Sequence, residues 1–216
     1  VSHSTQSERF SRQVALGAPR KKRPWPSIVR AKISAQAAVL DERNGSAAGL
    51  DRMIARVRSG DTGNVEAQAA RRYWGALVQD PEFRRDPERP GLNRWLNYTY
   101  AVVRATVARA LCATGLHPSL GLHHHNRYDP FCLADDLMEP LRPHADRSVL
   151  FVRESLSDPG ELDRTTKSAL VETVTGNVRI DGEDRTLADA CGIMASSLAQ
   201  CIVGERALPI LPGGYR

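Results

Sequence analysis

Long apolar runs are missing from this 216-residue sequence: no stretch of 18 apolar residues exists, so no segment reads as a membrane-spanning helix. The first ten residues, "VSHSTQSERF", carry no apolar h-region and do not read as a secretory signal. Cysteine is sparse. Cys112, Cys132, Cys191 and Cys201 never form a C-x-x-C pair, which argues against a structural zinc site, and most sit in apolar helical contexts where a thiol serves as a small hydrophobe. A reducing, cytoplasmic setting fits that usage. Aromatics make up only 6%. No internal repeat or low-complexity block is visible, and the first residue is Val1, not methionine, which reads as a chain lacking its natural start.

What is abundant is arginine. Of 30 basic residues only four are lysine, and the net charge is +5. The charge is uneven: residues 1–130 hold 21 basic and 11 acidic side chains (net +10), whereas residues 131–216 hold 9 and 14 (net −5). A basic front half suggests an anionic partner, and guanidinium forks suit phosphate oxygens, although a solvated arginine-rich surface would give the same numbers.

Hydrophobic periodicity predicts a mainly α-helical fold. Helices are expected at 8–16, 27–41, 50–58, 65–78 (with Asn64 as N-cap), 92–114, from 129 towards 153, 162–173 and 187–203. The 92–114 segment, "AVVRATVARALCA" at its centre, is apolar on most sides and belongs in the core. Between the last two helices, "NVRIDGEDRTL" contains an Asp-Gly step and reads as a small hairpin.

The chemistry concentrates in residues 121–143, "GLHHHNRYDPFCLADDLMEPLRP". With Asp129-Pro130 opening a helix, Asp136 and Glu139 share a face, as do Asp135 and Glu139. Like charges at those spacings repel unless a cation sits among them. Pro140 lacks the N–H that would bond the Asp136 carbonyl and should kink the helix beside the acids. His123, His124 and His125 are consecutive, so they cannot all face one centre; a polar loop facing water is the plain alternative. Glu66, among Ala67, Ala69 and Ala70, is either a distant member of the same site or an acid favoured by the helix dipole.

Three blocks in order, "GNVEAQAARRYW", "LNYTYAVVRATVARALCATGLHPSLGLHHHN" and "PFCLADDLMEPLRP", resemble the CRISPR spacer-acquisition integrase, the Cas-one family, and the leading "STQSERFSRQV" and "KKRPW" most resemble its type II members. The resemblance covers essentially the whole chain. It implies a leading linker at 1–26 and a helical catalytic domain at 27–216, with the family's small N-terminal β-domain missing. It also implies that Glu66, His124 and Glu139 bind a divalent metal, Mg2+ or Mn2+, with Asp136 as an additional acid near it. His124 would be a ligand rather than a general base. The implied reaction is attack of a 3′-hydroxyl on a phosphodiester at a CRISPR repeat, or hydrolysis when water is the nucleophile. Double-stranded DNA, a second copy of the chain in a homodimer and the small Cas-two protein are the implied partners. Arg30, Lys32, Arg71, Asn126, Arg127 and Arg142 are the expected nucleic-acid contacts. Two other readings stay open: a catalytically inactive helical DNA-binding scaffold, and a metal-dependent hydrolase of small phosphate esters, which the basic half disfavours.

Overall fold

The computed structural model describes residues 5–80, 82–156 and 161–213. Ten α-helices run through these residues: α1 Gln6–Val14, α2 Ala18–Lys22, α3 Trp25–Asn44, α4 Asp51–Ile54, α5 Val65–Val78, α6 Leu92–Ala113, α7 Cys132–Met138, α8 Arg142–Ser155, α9 Arg164–Val174 and α10 Leu187–Val203. Two strands, β1 Asn177–Ile180 and β2 Glu183–Thr186, pair antiparallel, and short 3₁₀ turns lie at Ser59–Asp61 and Glu139–Leu141. The mainly α expectation holds. No helix among the described residues is long and apolar enough to cross a membrane.

The core forms where α3, α6 and α10 bury their apolar faces together. Ile28, Val29, Ile33, Val39 and Leu40 of α3 are shut off from solvent, as are Val103, Val107 and Leu111 of α6 and Leu187, Met194 and Leu198 of α10. The Glu139–Leu141 turn and α8 pack on α3, and α7 packs on α6, so the acid-bearing segment is pressed against the centre of the molecule. A smaller cluster of Trp95, Leu96, Val149, Val152 and Leu170 fixes α9 over α6 and α8. Helix α3 ends at Gly45, whose φ of 65° is the left-handed conformation that favours glycine, and its N–H bonds the Asp41 carbonyl. It runs unbroken through position 26. The hairpin matches its sequence signal: Asp181 and Gly182 both take positive φ (51° and 81°) in the two-residue turn, while Val178 and Ile180 point into the core. Cys132 and Cys191 are buried, Cys201 is half-buried and Cys112 is exposed.

Three expectations are corrected. The helix expected at 50–58 is only α4, Asp51–Ile54; the chain leaves the helical path after it, and Arg58 is extended (φ −106°, ψ 172°) before the separate Ser59–Asp61 turn. Asn64 occupies the N-cap position of α5 at φ 49°, but its side chain makes no capping hydrogen bond; Asp61 takes that role, its two carboxylate oxygens accepting from the Val65 and Glu66 N–H groups at 2.9 Å each. The single helix expected from 129 is split. Asp129 forms a local turn by accepting from the Phe131 N–H (2.8 Å), α7 starts only at Cys132, and Pro140 sits in the 3₁₀ turn that separates α7 from α8. That last break lies where the missing proline N–H puts it.

Candidate active site

Glu66 stands in the first turn of α5 and Glu139 in the turn between α7 and α8, yet both reach one cation. The Lys32 ammonium, on α3, lies 2.6 Å from Glu66 Oε1 and 2.5 Å from Glu139 Oε2. The Glu66 contact is a hydrogen bond, and the Glu139 contact is a buried ion pair of similar length. Arg142 donates from Nε to Glu139 Oε1 at 2.7 Å. Burial alone would push the Glu139 carboxyl up, but Lys32 and Arg142 outweigh it and hold the carboxyl at about 2. Burial pulls the Lys32 ammonium the other way, and Glu139 and Glu66 more than restore it, leaving its pKa raised. Lys32, expected to contact DNA, therefore faces inward: its side chain is 11% exposed.

The histidine loop is tied down by a different acid. Asp136 is completely buried on α7 and accepts from the N–H groups of Leu122 (2.6 Å), His123 (3.0 Å) and His124 (3.1 Å). Its Oδ1 also lies 2.6 Å from His124 Nδ1. Both of its oxygens are thus occupied by loop donors. That contact raises the His124 pKa, partial burial opposing it, and an imidazole whose Nδ1 holds a carboxylate keeps Nε2 for another partner. Gly121 is needed for the loop's approach: a Cβ there would lie 2.2 Å from the His124 carbonyl oxygen and 3.1 Å from Asp136 Oδ2. His123, which had no expected role, stacks on the buried Trp25 ring with centroids 4.0 Å apart and planes 3° from parallel. His125 is exposed.

Asp146 was missed by sequence reasoning. It lies on α8 and accepts from the Tyr100 and Tyr73 hydroxyls at 2.5 and 3.0 Å. Burial pushes it up to about 7, the two hydroxyls and the arginines opposing. Arg142 and Arg85 place their guanidinium carbons 4.7 and 5.1 Å from the centre of the Tyr100 ring, which links Asp146 to the Glu139 ion pair. The available signal was spacing: Asp146 follows Arg142 by four residues, on one face of α8.

Of the remaining candidates, Arg30, Arg71, Asn126 and Arg127 are all exposed. Arg30 donates to the Val57 carbonyl (2.6 Å), Asn126 accepts from the Tyr128 N–H (2.9 Å), and Arg127 lies over the Tyr128 ring. Arg71 lines an open groove of about 930 Å³ with Trp74, Phe83, Arg84 and Arg85. Ala70, Trp74 and Arg85 also line a cavity of about 250 Å³ that reaches Lys32 and Glu139, so the two spaces adjoin. Tyr73 is fully buried, whereas Trp74 is partly open to the groove.

As they stand, no three His, Cys, Asp or Glu side chains among the described residues form a metal-binding group. Two of the expected three nevertheless converge on a positive charge, and the third is held with one ring nitrogen to spare.

This helical domain has known counterparts. The family described as CRISPR associated protein Cas1 matches residues 12–158, and the chain belongs to that family. It is 41% identical over 197 residues to the CRISPR-associated endonuclease Cas1 of Neisseria meningitidis serogroup C (strain 8013), covering 90% of this chain and 64% of that protein. With CRISPR-associated endonuclease Cas1 1 of Pyrobaculum aerophilum it shares 38% identity over 115 residues, 51% of this chain and 38% of that protein. The chain thus spans less than two thirds of the length of either relative. Among solved structures, a casposase bound to integration product superposes with a TM-score of 0.78 at 20% identity, covering 94% of this chain and 71% of that one. A Cas1 protein from Thermotoga maritima gives 0.71 at 19%, covering 94% and 70%. At those identities the likeness establishes the shared helical fold.

Proposed function

We propose that this chain carries the phosphodiester-processing site of a CRISPR adaptation endonuclease and integrase, which inserts captured DNA fragments into a CRISPR array by 3′-hydroxyl attack on the repeat. The observation that carries the reading is the convergence of Glu66 and Glu139, from separate elements, on one cation position at 2.6 and 2.5 Å. Two carboxylates and an imidazole suit Mg2+ or Mn2+, the nitrogen favouring Mn2+. Glu66, Glu139 and His124 would hold the ion. Bound there, it would polarise the phosphodiester and stabilise charge developing on the phosphate oxygens.

The chain's other residues have separable tasks. Asp136 does not coordinate; with its oxygens filled by the loop, it holds His124 in the tautomer that presents Nε2. Arg142 fixes the Glu139 carboxylate through Nε and, standing on the cavity wall, supplies charge for a phosphate. Arg30, Arg71, Asn126 and Arg127, exposed on the basic half, meet the DNA backbone. Double-stranded DNA, a homodimer and the small Cas2 protein are the proposed partners. A Cas6-RT-Cas1–Cas2 complex whose chain superposes on this one with a TM-score of 0.76 at 17% identity supports the last through its fold.

One observation favours a second reading, an inactive DNA-binding scaffold: the carboxylates are already neutralised by Lys32. A branched DNA that mimics a half-integrated fragment separates the two. The integrase reading expects strand rejoining in Mn2+, none in EDTA, and none for Glu66→Ala, which still binds the DNA. Rejoining that survives in Glu66→Ala would overturn the site. DNA binding without rejoining by the unsubstituted chain would favour the scaffold.

A further inference from the structure

The two carboxylates proposed as metal ligands already share a cation that belongs to the chain. Lys32 Nζ is 2.6 Å from Glu66 Oε1 and 2.5 Å from Glu139 Oε2. A small divalent ion sits about 2.1 Å from carboxylate oxygens, so it and the ammonium cannot both occupy the space between these two. Charge argues the same way. Glu66 and Glu139 are balanced by Lys32 and Arg142, and adding a divalent ion with Lys32 in place would leave two excess positive charges where the Lys32 and Glu139 side chains are only 11% and 5% exposed.

The fold also holds an alternative seat. Gln36 lies one turn along α3 from Lys32, is 3% exposed, and its Oε1 has no hydrogen-bond partner among the described residues. A buried acceptor left unpaired is costly and calls for a donor. Lys32 and Gln36 line the same cavity of about 250 Å³, beside Tyr100 and Asp146. The space, the donor and the vacant acceptor are therefore adjacent on one helix face.

We infer that Lys32 is a resident cation that holds the two carboxylates in the metal-free protein, and that a divalent ion displaces its ammonium into the adjoining cavity towards Gln36 Oε1. The inference deepens the metal-site reading and rests on it. Lys32 thereby sets the metal affinity: it keeps the site assembled when no ion is present and weakens ion binding by the work of its own displacement.

A double-mutant cycle read by calorimetric titration with Mn2+ tests this without reference to activity. Lys32→Met should bind Mn2+ about tenfold more tightly than the unsubstituted chain, about 1.4 kcal/mol. Gln36→Leu should bind it several-fold more weakly, and the double variant should match Lys32→Met, since Gln36 matters only as the seat for the displaced ammonium. In EDTA, Lys32→Met should melt lower than the unsubstituted chain, and Mn2+ should raise its Tm by more. Equal or weaker Mn2+ binding by Lys32→Met overturns the inference alone, as does a Gln36→Leu effect that persists in the double variant. If neither the unsubstituted chain nor Lys32→Met binds Mn2+, the metal reading falls and takes the inference with it.

Discussion

Asp136 shows how a single side chain can organise a site it does not have to enter. Its carboxylate receives three backbone N–H groups and one imidazole, all from the loop that carries His124. Removing it strands those donors in a buried place, so Asp136→Ala should cost about 3 kcal/mol of stability, read by urea denaturation. The family resemblance implied Asp136 only as an additional acid near a metal. What escaped was the backbone wrapping around it, because N–H directions in a loop have no residue-type signature. The inward direction of Lys32 was hidden for a related reason: in a strongly basic segment every cation reads as a phosphate contact until its helix face is known. Asp146 went unnoticed because its hydroxyl partners, Tyr73 and Tyr100, lie 73 and 46 residues away.

Asp146 also makes a pH prediction. Its ordinary value of 3.8 is pushed up to about 7, burial being the largest cause. The folded protein therefore keeps a proton there that the unfolded chain releases between about pH 4 and 7, and stability falls as pH rises through that window. Asp135, raised to about 6 by burial and by Asp129, adds a component of the same sign. Glu139, held at about 2, acts oppositely: its contribution is present above its ordinary 4.5 and is lost as pH falls towards 2. Asp146→Asn should remove a slope of up to about 1.4 kcal/mol per pH unit. Urea midpoints at pH 5, 6 and 7 check this, and an unchanged slope would mean the buried carboxyl is ionised throughout.

At the scale of elements, the placement of Glu66 depends on how α5 begins. Asp61 closes the start of the helix with two hydrogen bonds, one to the Glu66 N–H itself. Asp61→Ala should cost about 1–2 kcal/mol and loosen the Glu66 end of the Lys32 bridge, whereas Asn64→Gly should be close to neutral, since Asn64 contributes only its left-handed backbone. Thermal denaturation of the pair distinguishes the two residues. The periodic helices, α3, α5, α6 and α10, were legible within a few residues because their apolar faces repeat at the helical period, and the hairpin was legible from Asp181-Gly182. The residue whose side chain closes the start of α5, and the start of α7, were not. Asn64 and Asp129 have the right chemistry for caps, but which of two neighbouring polar residues takes the role is decided by backbone angles that tertiary packing selects. Pro140 was readable because it acts through an atom it lacks.

For the whole molecule, the charge imbalance of +10 against −5 sets what binding should look like. If exposed arginines meet phosphates, DNA affinity should fall steeply and linearly on a log–log plot against salt, with little dependence on sequence, and Arg71→Ala should shallow the slope by about one unit. Fluorescence anisotropy over a salt series reads both. The family was accessible from the sequence because its motif blocks occur in order across most of the chain. The arrangement of carboxylates and lysine was not, since it joins α3, α5 and the Glu139–Leu141 turn across long stretches of sequence.

The central claim is that Glu66, Glu139 and His124 together hold a divalent ion. It is tested most directly by an anomalous difference map from crystals grown with Mn2+. The expected result is one peak between the two carboxylates, within coordination distance of His124 Nε2, with the Lys32 side chain moved away from both oxygens. A map with no peak there, and Lys32 still bridging Glu66 and Glu139 at saturating Mn2+, would contradict it.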